Sequence, residues 1–139
     1  MMYPLTIPQE NIWNLQKFYS DSSISNISGL LVFDKRKNLD LLKEAVNVFI
    51  RNQDGIRMRF MEKGSEVCQY VSAFEVADIP AFHFKNLDEA ETFFEEEGRK
   101  PFLLTDSAMY RFYVFDTLSQ SGICPCLNHL VADAWTLSL

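Results

Sequence analysis

Two apolar runs, Met109–Phe115 and Ile123–Leu130, flank a short polar segment, Ser119-Gln120-Ser121-Gly122. Runs of this length and residue type around such a break read as the two strands of a hairpin. A second pair, Ile56–Met61 and Val67–Ser72, flanks Lys63-Gly64-Ser65 and reads the same way. Hairpins join antiparallel neighbours, so a sheet built from these strands is mixed rather than wholly parallel. Ile27–Phe33 is nearly continuous apolar sequence, as expected of a strand covered on both faces. Ala81–Phe84 is a short further strand.

Three helical patterns are set among these strands. Leu42, Ala45, Val46, Phe49 and Ile50 follow the i, i+3, i+4, i+7, i+8 spacing of a core-facing stripe and predict a helix over Leu39–Ile50. Ile7–Tyr19 is predicted as a helix with Pro8 in its first turn and with Ile12, Leu15, Phe18 and Tyr19 on one face. Leu87–Glu97 is the third, capped by Asn86 with Glu89, stopped by Gly98, and apolar at Ala90, Phe93 and Phe94. Helices alternating with strands and hairpins predict an α/β fold, a two-layer sandwich with a mixed sheet. No repeat or linker divides residues 1–139, which read as one domain. Ala134-Trp135-Thr136-Leu137 begins another helix carrying apolar Trp135, Leu137 and Leu139, and the chain is therefore expected to have been cut from something longer.

A net charge of −6 without clustered Lys or Arg disfavours nucleic acid as a partner. No apolar run reaches the roughly 20 residues of a membrane-spanning helix, and Met1-Met2-Tyr3-Pro4-Leu5 lacks the basic head and apolar core of a secretion signal. Cys68, Cys124 and Cys126 are odd in number and too sparse for a disulfide scaffold. A cytoplasmic, reducing setting is the expectation.

The residue with most chemical promise is His129. An imidazole that titrates near neutral pH can take a proton from an amine or hydroxyl attacking a carbonyl. Asp133 lies four residues on, across an apparent strand-to-helix junction. A His-x-x-x-Asp pair alone is a weak signal, and a hydrogen-bonded core histidine is the bland alternative. Zinc is the rival use, since Cys124, Cys126 and His129 are good ligands. Strand parity argues against it: Cys124 and Cys126 share a face with Asn128, whereas His129 points the other way. A fourth ligand is missing too, so no metal is expected and the cysteines read as small apolar fillers. His83, between Phe82 and Phe84, reads as structural, and Glu95-Glu96-Glu97 as a solvated helix end. No phosphate-cradling glycine loop and no Gly-x-Ser-x-Gly elbow occur.

Three stretches, in order, resemble motifs of the condensation domains of nonribosomal peptide synthetases. Leu5-Thr6-Ile7-Pro8-Gln9-Glu10-Asn11-Ile12-Trp13-Asn14-Leu15 is similar to Ser-x-Ala-Gln-x-Arg-Leu-Trp-x-Leu, keeping Gln, Trp and Leu. Asn52 to Phe60 resembles Arg-His-Glu-x-Leu-Arg-Thr-x-Phe, holding Arg57 and Phe60. Leu127 to Trp135 resembles Met-His-His-x-Ile-Ser-Asp-Gly-Trp, and Lys100 to Arg111 resembles the stretch leading into a family strand.

The resemblance implies the N-terminal lobe of a chloramphenicol acetyltransferase-like fold, whose second lobe completes a tunnel. It implies transfer of a peptidyl or acyl group from one carrier-protein phosphopantetheine thioester to the amine on another, with no cofactor held directly. His129 would be the catalytic histidine, acting as base or positioning the amine. Asp133 would shape the active-site loop through an ion pair. Asn128 replaces the motif's first histidine, a polar planar group in its place. Ala134 replaces the motif glycine and keeps its backbone N–H toward developing oxyanion charge. Expected partners are carrier proteins, the C-terminal lobe and neighbouring synthetase domains. An ester-forming or stand-alone acyltransferase, and an idle domain that docks carrier proteins, are the alternatives. The chain alone, with an apolar interlobe face exposed, is expected to be inactive and to self-associate.

Overall fold

The structure is a computed structural model that describes residues 1–133. Ala134 and the helix expected to begin there, with Trp135, Leu137 and Leu139, lie outside the described residues. The elements run β1 (Tyr3–Pro4), α1 (Ile7–Phe18), β2 (Asn26–Ser28), β3 (Leu31–Phe33), α2 (Leu39–Asn52), a 3-10 turn (Asp54–Arg57), β4 (Met58–Lys63), β5 (Glu66–Val71), β6 (Ala81–His83), α3 (Leu87–Gly98), β7 (Tyr110–Asp116) and β8 (Ser121–Asn128).

Both expected hairpins form. β4 and β5 pair antiparallel with Lys63 opposite Glu66, leaving a two-residue turn whose first member, Gly64, has φ 65. That position of a tight hairpin favours glycine because the sign of φ matches strand twist. β7 and β8 pair from Tyr110–Leu127 to Asp116–Ser121. Among the described residues β1, β5 and β4 make a small antiparallel sheet, and β2, β3, β8, β7 and β6 make a larger one. β6 lies parallel to β7 while the other pairs are antiparallel, so the sheet is mixed as expected.

β7 and β8 are buried along most of their length because helices take opposite faces of the larger sheet. Leu42, Val46 and Ile50 of α2 pack with Phe112, Val114 and Leu127. Ala90 and Phe94 of α3 pack with Tyr113, Phe115 and Cys124, one residue out of phase along the same strands. A third cluster joins Leu5, Trp13 and Phe60 to Met109, Cys126 and Leu130 between the small sheet, α1 and the end of β8.

Three sequence expectations need correction. Ile27–Phe33 is not one strand; it divides at Gly29-Leu30 into β2 and β3, both paired with β8. The division faces Pro125, which has no N–H for a ladder bond, and only its carbonyl is used, accepting from Gly29 N at 3.3 Å. Within α2, Ala45 and Phe49 are exposed on the rim of an apolar groove with Leu30, Leu31, Pro125 and Leu127. In α1 the apolar residues Leu15, Phe18 and Tyr19 are exposed, and the inward side is Trp13 with Gln16. Gln16 is tolerated inside because its Nε2 donates to the carbonyls of Tyr19 (3.1 Å) and Ser22 (2.9 Å), which close the chain after the helix.

Candidate active site

β8 is central to the larger sheet and its last residue, Asn128, brings the chain to the sheet's edge next to the small sheet. There the backbone reverses: Val131 N donates to the Asn128 carbonyl at 3.1 Å, closing a turn with His129 and Leu130 at its centre. Asn128 N donates to Met109 O at 2.9 Å and His129 N to Ser25 O at 2.8 Å, so the segments leading into β7 and β2 grip the turn from both sides. The Asn128 side chain adds a third restraint, its Oδ1 accepting from Leu130 N at 3.0 Å.

Side chains leave this turn in opposite senses. Asn128 is 0% exposed, with its Nδ2 lacking a hydrogen-bond partner among the described residues. Cys124 and Cys126 point the same way into buried apolar clusters. His129 is exposed, as is Asp133 four residues on. The expected separation of the imidazole from the cysteines is found, but β8 ends at Asn128 and His129 faces outward because the chain reverses there, not by strand alternation.

The thiols are poor ligands where they lie. Burial pushes Cys124 up to about 12, helped by the neighbouring Cys126 and Glu97. Burial also raises Cys126, against a lowering hydrogen bond from Arg111. A metal would need the thiolates, and among the described residues no three His, Cys, Asp or Glu side chains cluster to hold one.

Below the turn, stretches far apart in sequence meet. Leu130 packs in the same cluster as Trp13 of α1 and Phe60 of β4, whose rings lie 6.0 Å apart. Gln9, on the first turn of α1, donates from Nε2 to Leu130 O at 3.1 Å. The same amide exchanges hydrogen bonds with Gln69 of β5, at 2.8 and 2.9 Å. Arg57 is structural: Nη1 binds the Ile50 carbonyl at 2.8 Å and that of Arg51, and Nε binds Ser72 O at 3.1 Å, fastening the end of α2.

The contacts of Gln9 and Ser25 with the turn, and of Gln69 with Gln9, are not expected from sequence. Thr6 followed by Gln9 is a capping-box pattern, and the structure contains that box, but nothing in the pattern points sixty residues away to Gln69. His83, expected to be structural, lies at the opposite end of the sheet with Nδ1 2.5 Å from the buried Asp116. Among the described residues no helix is long and apolar enough to cross a membrane.

Comparisons with known proteins cover the whole chain. A family model described as the condensation domain matches residues 1–139. The chain is 32% identical over 146 residues to surfactin synthase subunit 1 of Bacillus subtilis, an alignment covering 99% of this chain and 4% of that relative. It is 24% identical over 133 residues to surfactin synthase subunit 2 of the same organism, covering 95% of this chain and 4% of the relative. Among solved structures, a mutant starter condensation domain of rhizomide synthetase superposes with a TM-score of 0.91 at 18% identity, over 99% of this chain and 33% of that one. The first condensation domain of the calcium-dependent antibiotic synthetase gives 0.83 at 14% identity, over 96% and 34%. The chain thus spans a small fraction of the two synthase relatives and about a third of the solved domains.

Proposed function

This chain belongs to the condensation-domain family, and we propose that it carries the catalytic wall of a site joining an acyl or peptidyl thioester to an amine. The observation that carries the reading is the exposed imidazole of His129, set on a turn fixed by hydrogen bonds at the end of a buried strand. In the proposed step the amine nitrogen attacks the thioester carbonyl, forming C–N. The imidazole takes the N–H proton, the C–S bond breaks, and that proton goes to the departing sulfur. The same imidazole orients the amine before attack. Substrates on this reading are carried as 4'-phosphopantetheine thioesters of carrier proteins, and nothing is bound as a resident cofactor. On the same reading Asp133 shapes the loop that follows the turn, and Ala134, outside the described residues, stands at the motif position whose N–H would meet the carbonyl oxygen.

Asn128 fits this reading without being a reacting group. Its side chain is turned into the protein, so the asparagine at this motif position removes no ionisable group from the surface where His129 stands. Its contribution is the Oδ1 bond to Leu130 N, which an ionisable side chain is not needed to make.

The reading is tested in the complete polypeptide that carries this chain, with loaded donor and acceptor carrier proteins. Wild type is expected to form amide product and His129→Ala to lose about 100-fold or more in rate. Equal rates would remove His129 from the chemistry. Carrier binding without product from wild type would favour an idle docking domain, and ester rather than amide product an ester-forming enzyme. The isolated chain, with Phe18, Tyr19 and Ile24 exposed ahead of Ser25, is expected to be inactive and to self-associate in sedimentation runs at rising concentration. Turnover by the isolated chain would contradict this.

A further inference from the structure

Gln9 and Gln69 form a closed pair of amides. Gln9 Nε2 donates to Gln69 Oε1 at 2.8 Å, and Gln69 Nε2 donates to Gln9 Oε1 at 2.9 Å. The remaining proton of each Nε2 goes to a backbone carbonyl: Gln9 to Leu130 O at 3.1 Å, and Gln69 to Pro4 O at 2.9 Å. Gln9 Oε1 also accepts from Thr6 N at 2.9 Å in the capping box. Every donor of the two side chains is thereby used. Gln69 is 7% exposed and Leu130 3%, so these bonds are made where water competes poorly.

The pair ties four segments to one point. Gln9 belongs to α1, Gln69 to β5, Pro4 to β1, and Leu130 is the residue after His129. Four other bonds hold the turn, one from each backbone N–H of residues 128–131. The Leu130 carbonyl is held from below by Gln9. A peptide plane whose oxygen is pinned cannot flip, and the plane in question is joined through Leu130 to the His129 Cα. From this network we infer that Gln9, braced by Gln69, is a positioning residue that sets the direction of the His129 imidazole. The inference rests on the reading of His129 as the condensation base.

Neutral amides suit this task for a chemical reason. A carboxylate at either position would lack both donors and would repel the carbonyl oxygen it faces. A lysine or arginine would satisfy the carbonyl but bring a charge against the buried Leu130 and leave the partner amide without its acceptor. Two amides satisfy each other and still have one proton apiece for the backbone.

Gln9→Glu tests the effect. Glutamate keeps the acceptor for Thr6 and Gln69, and it is a standard third-position partner of a capping box, so α1 is preserved. The donors toward Leu130 and Gln69 are lost and a repulsion against the two oxygens they served is added, so the neutral Gln9→Met, which removes the donors without a charge, is measured beside it. In the complete polypeptide the variant is expected to lose about tenfold to a hundredfold in kcat, with KM for either loaded carrier protein within about twofold. Hydrogen–deuterium exchange of the peptide spanning residues 127–131 is expected to speed up about tenfold as the turn loosens. Gln69→Met, which leaves the Gln9–Leu130 bond in place, is expected to do less in both assays. Unchanged exchange, or faster exchange with unchanged kcat, overturns the positioning role; so does a loss confined to KM. The exchange measurement needs no substrate, so it still decides the clamp if wild type forms no product and the condensation reading itself fails. Should Gln9→Glu not fold, Gln9→Met decides alone against the same outcomes.

Discussion

The larger sheet presents a histidine at each end, His83 closing β6 and His129 following β8, and the two are held by different physics. At the Ser121 end, the buried Asp116 carboxylate lies between Arg36 (2.8 Å) and the exposed His83 (2.5 Å), an ionic cluster at the sheet margin. At the Asn128 end, His129 stands on a turn held by amides and backbone carbonyls, and the side chains beneath it are neutral. A histidine whose ring is engaged by a buried carboxylate is committed to structure. One presented on a turn held through its backbone is, on the proposed reading, left for something that arrives from outside. The difference teaches that position on a sheet does not distinguish the two histidines, whereas the groups fixing each one do.

The largest contrast is catalytic. His129→Gln is expected to lower amide formation by about 100-fold or more, while His83→Gln leaves it within about twofold. A rate assay on both variants in the complete polypeptide checks this, and parity between them would erase the distinction. Next comes packing at the ionic end. A Cβ on Gly122 would lie 2.5 Å from the Phe115 ring and 2.6 Å from the Leu31 carbonyl, whereas one on Gly29 meets nothing within 4 Å. Gly122→Ala is expected to cost about 1–3 kcal/mol and Gly29→Ala much less, as read from denaturant midpoints. At the neutral end, Asn128→Ala removes the acceptor of Leu130 N and is expected to cost about 1 kcal/mol. A midpoint unchanged by this substitution would mean the side chain does not hold the turn.

The smallest effect is in acid. Burial pushes the Asp116 carboxyl up, but hydrogen bonds from Arg36 and His83 and their charges outweigh it and hold the group below the usual carboxylate range. A carboxyl depressed in the folded state contributes stability that is full above its unfolded value and lost as pH falls through the folded one. Asp116→Asn should therefore flatten the decline in stability below about pH 4, and an unchanged acid limb would show that the cluster contributes nothing. No matching acid response is expected from the Gln9–Gln69 end, because neither side chain titrates.

What is legible in the sequence follows the same division between patterned and unpatterned groups. α2, α3 and both hairpins can be read because their apolar residues recur at the helix or strand period, and burial largely obeys that recurrence. Strand parity puts Cys124, Cys126 and Asn128 on one side for the same reason, whereas His129 lies past the end of β8 and faces outward because the chain reverses there. In α1 hydropathy points to the wrong side, because Gln9 and Gln16, which share its inner side with Trp13, carry no hydropathic signature of burial. Their hydrogen bonds are what permit it, and those partners are visible only in three dimensions. The split of Ile27–Phe33 is unreadable locally, since its cause, Pro125, sits on the partner strand almost a hundred residues away. The clamp on Leu130 has the same character: Gln69 resembles any polar residue of a half-exposed strand until Gln9 is set beside it.

The role of His129 turns on where the attacking amine sits. The direct measurement is a structure of the complete domain with a non-reactive thioester analogue and an amine acceptor bound. The account predicts the amine nitrogen within about 3.2 Å of an imidazole nitrogen of His129, directly or through one water. An amine bound beyond that reach, with the thioester carbonyl beside a different ionisable side chain, would contradict it.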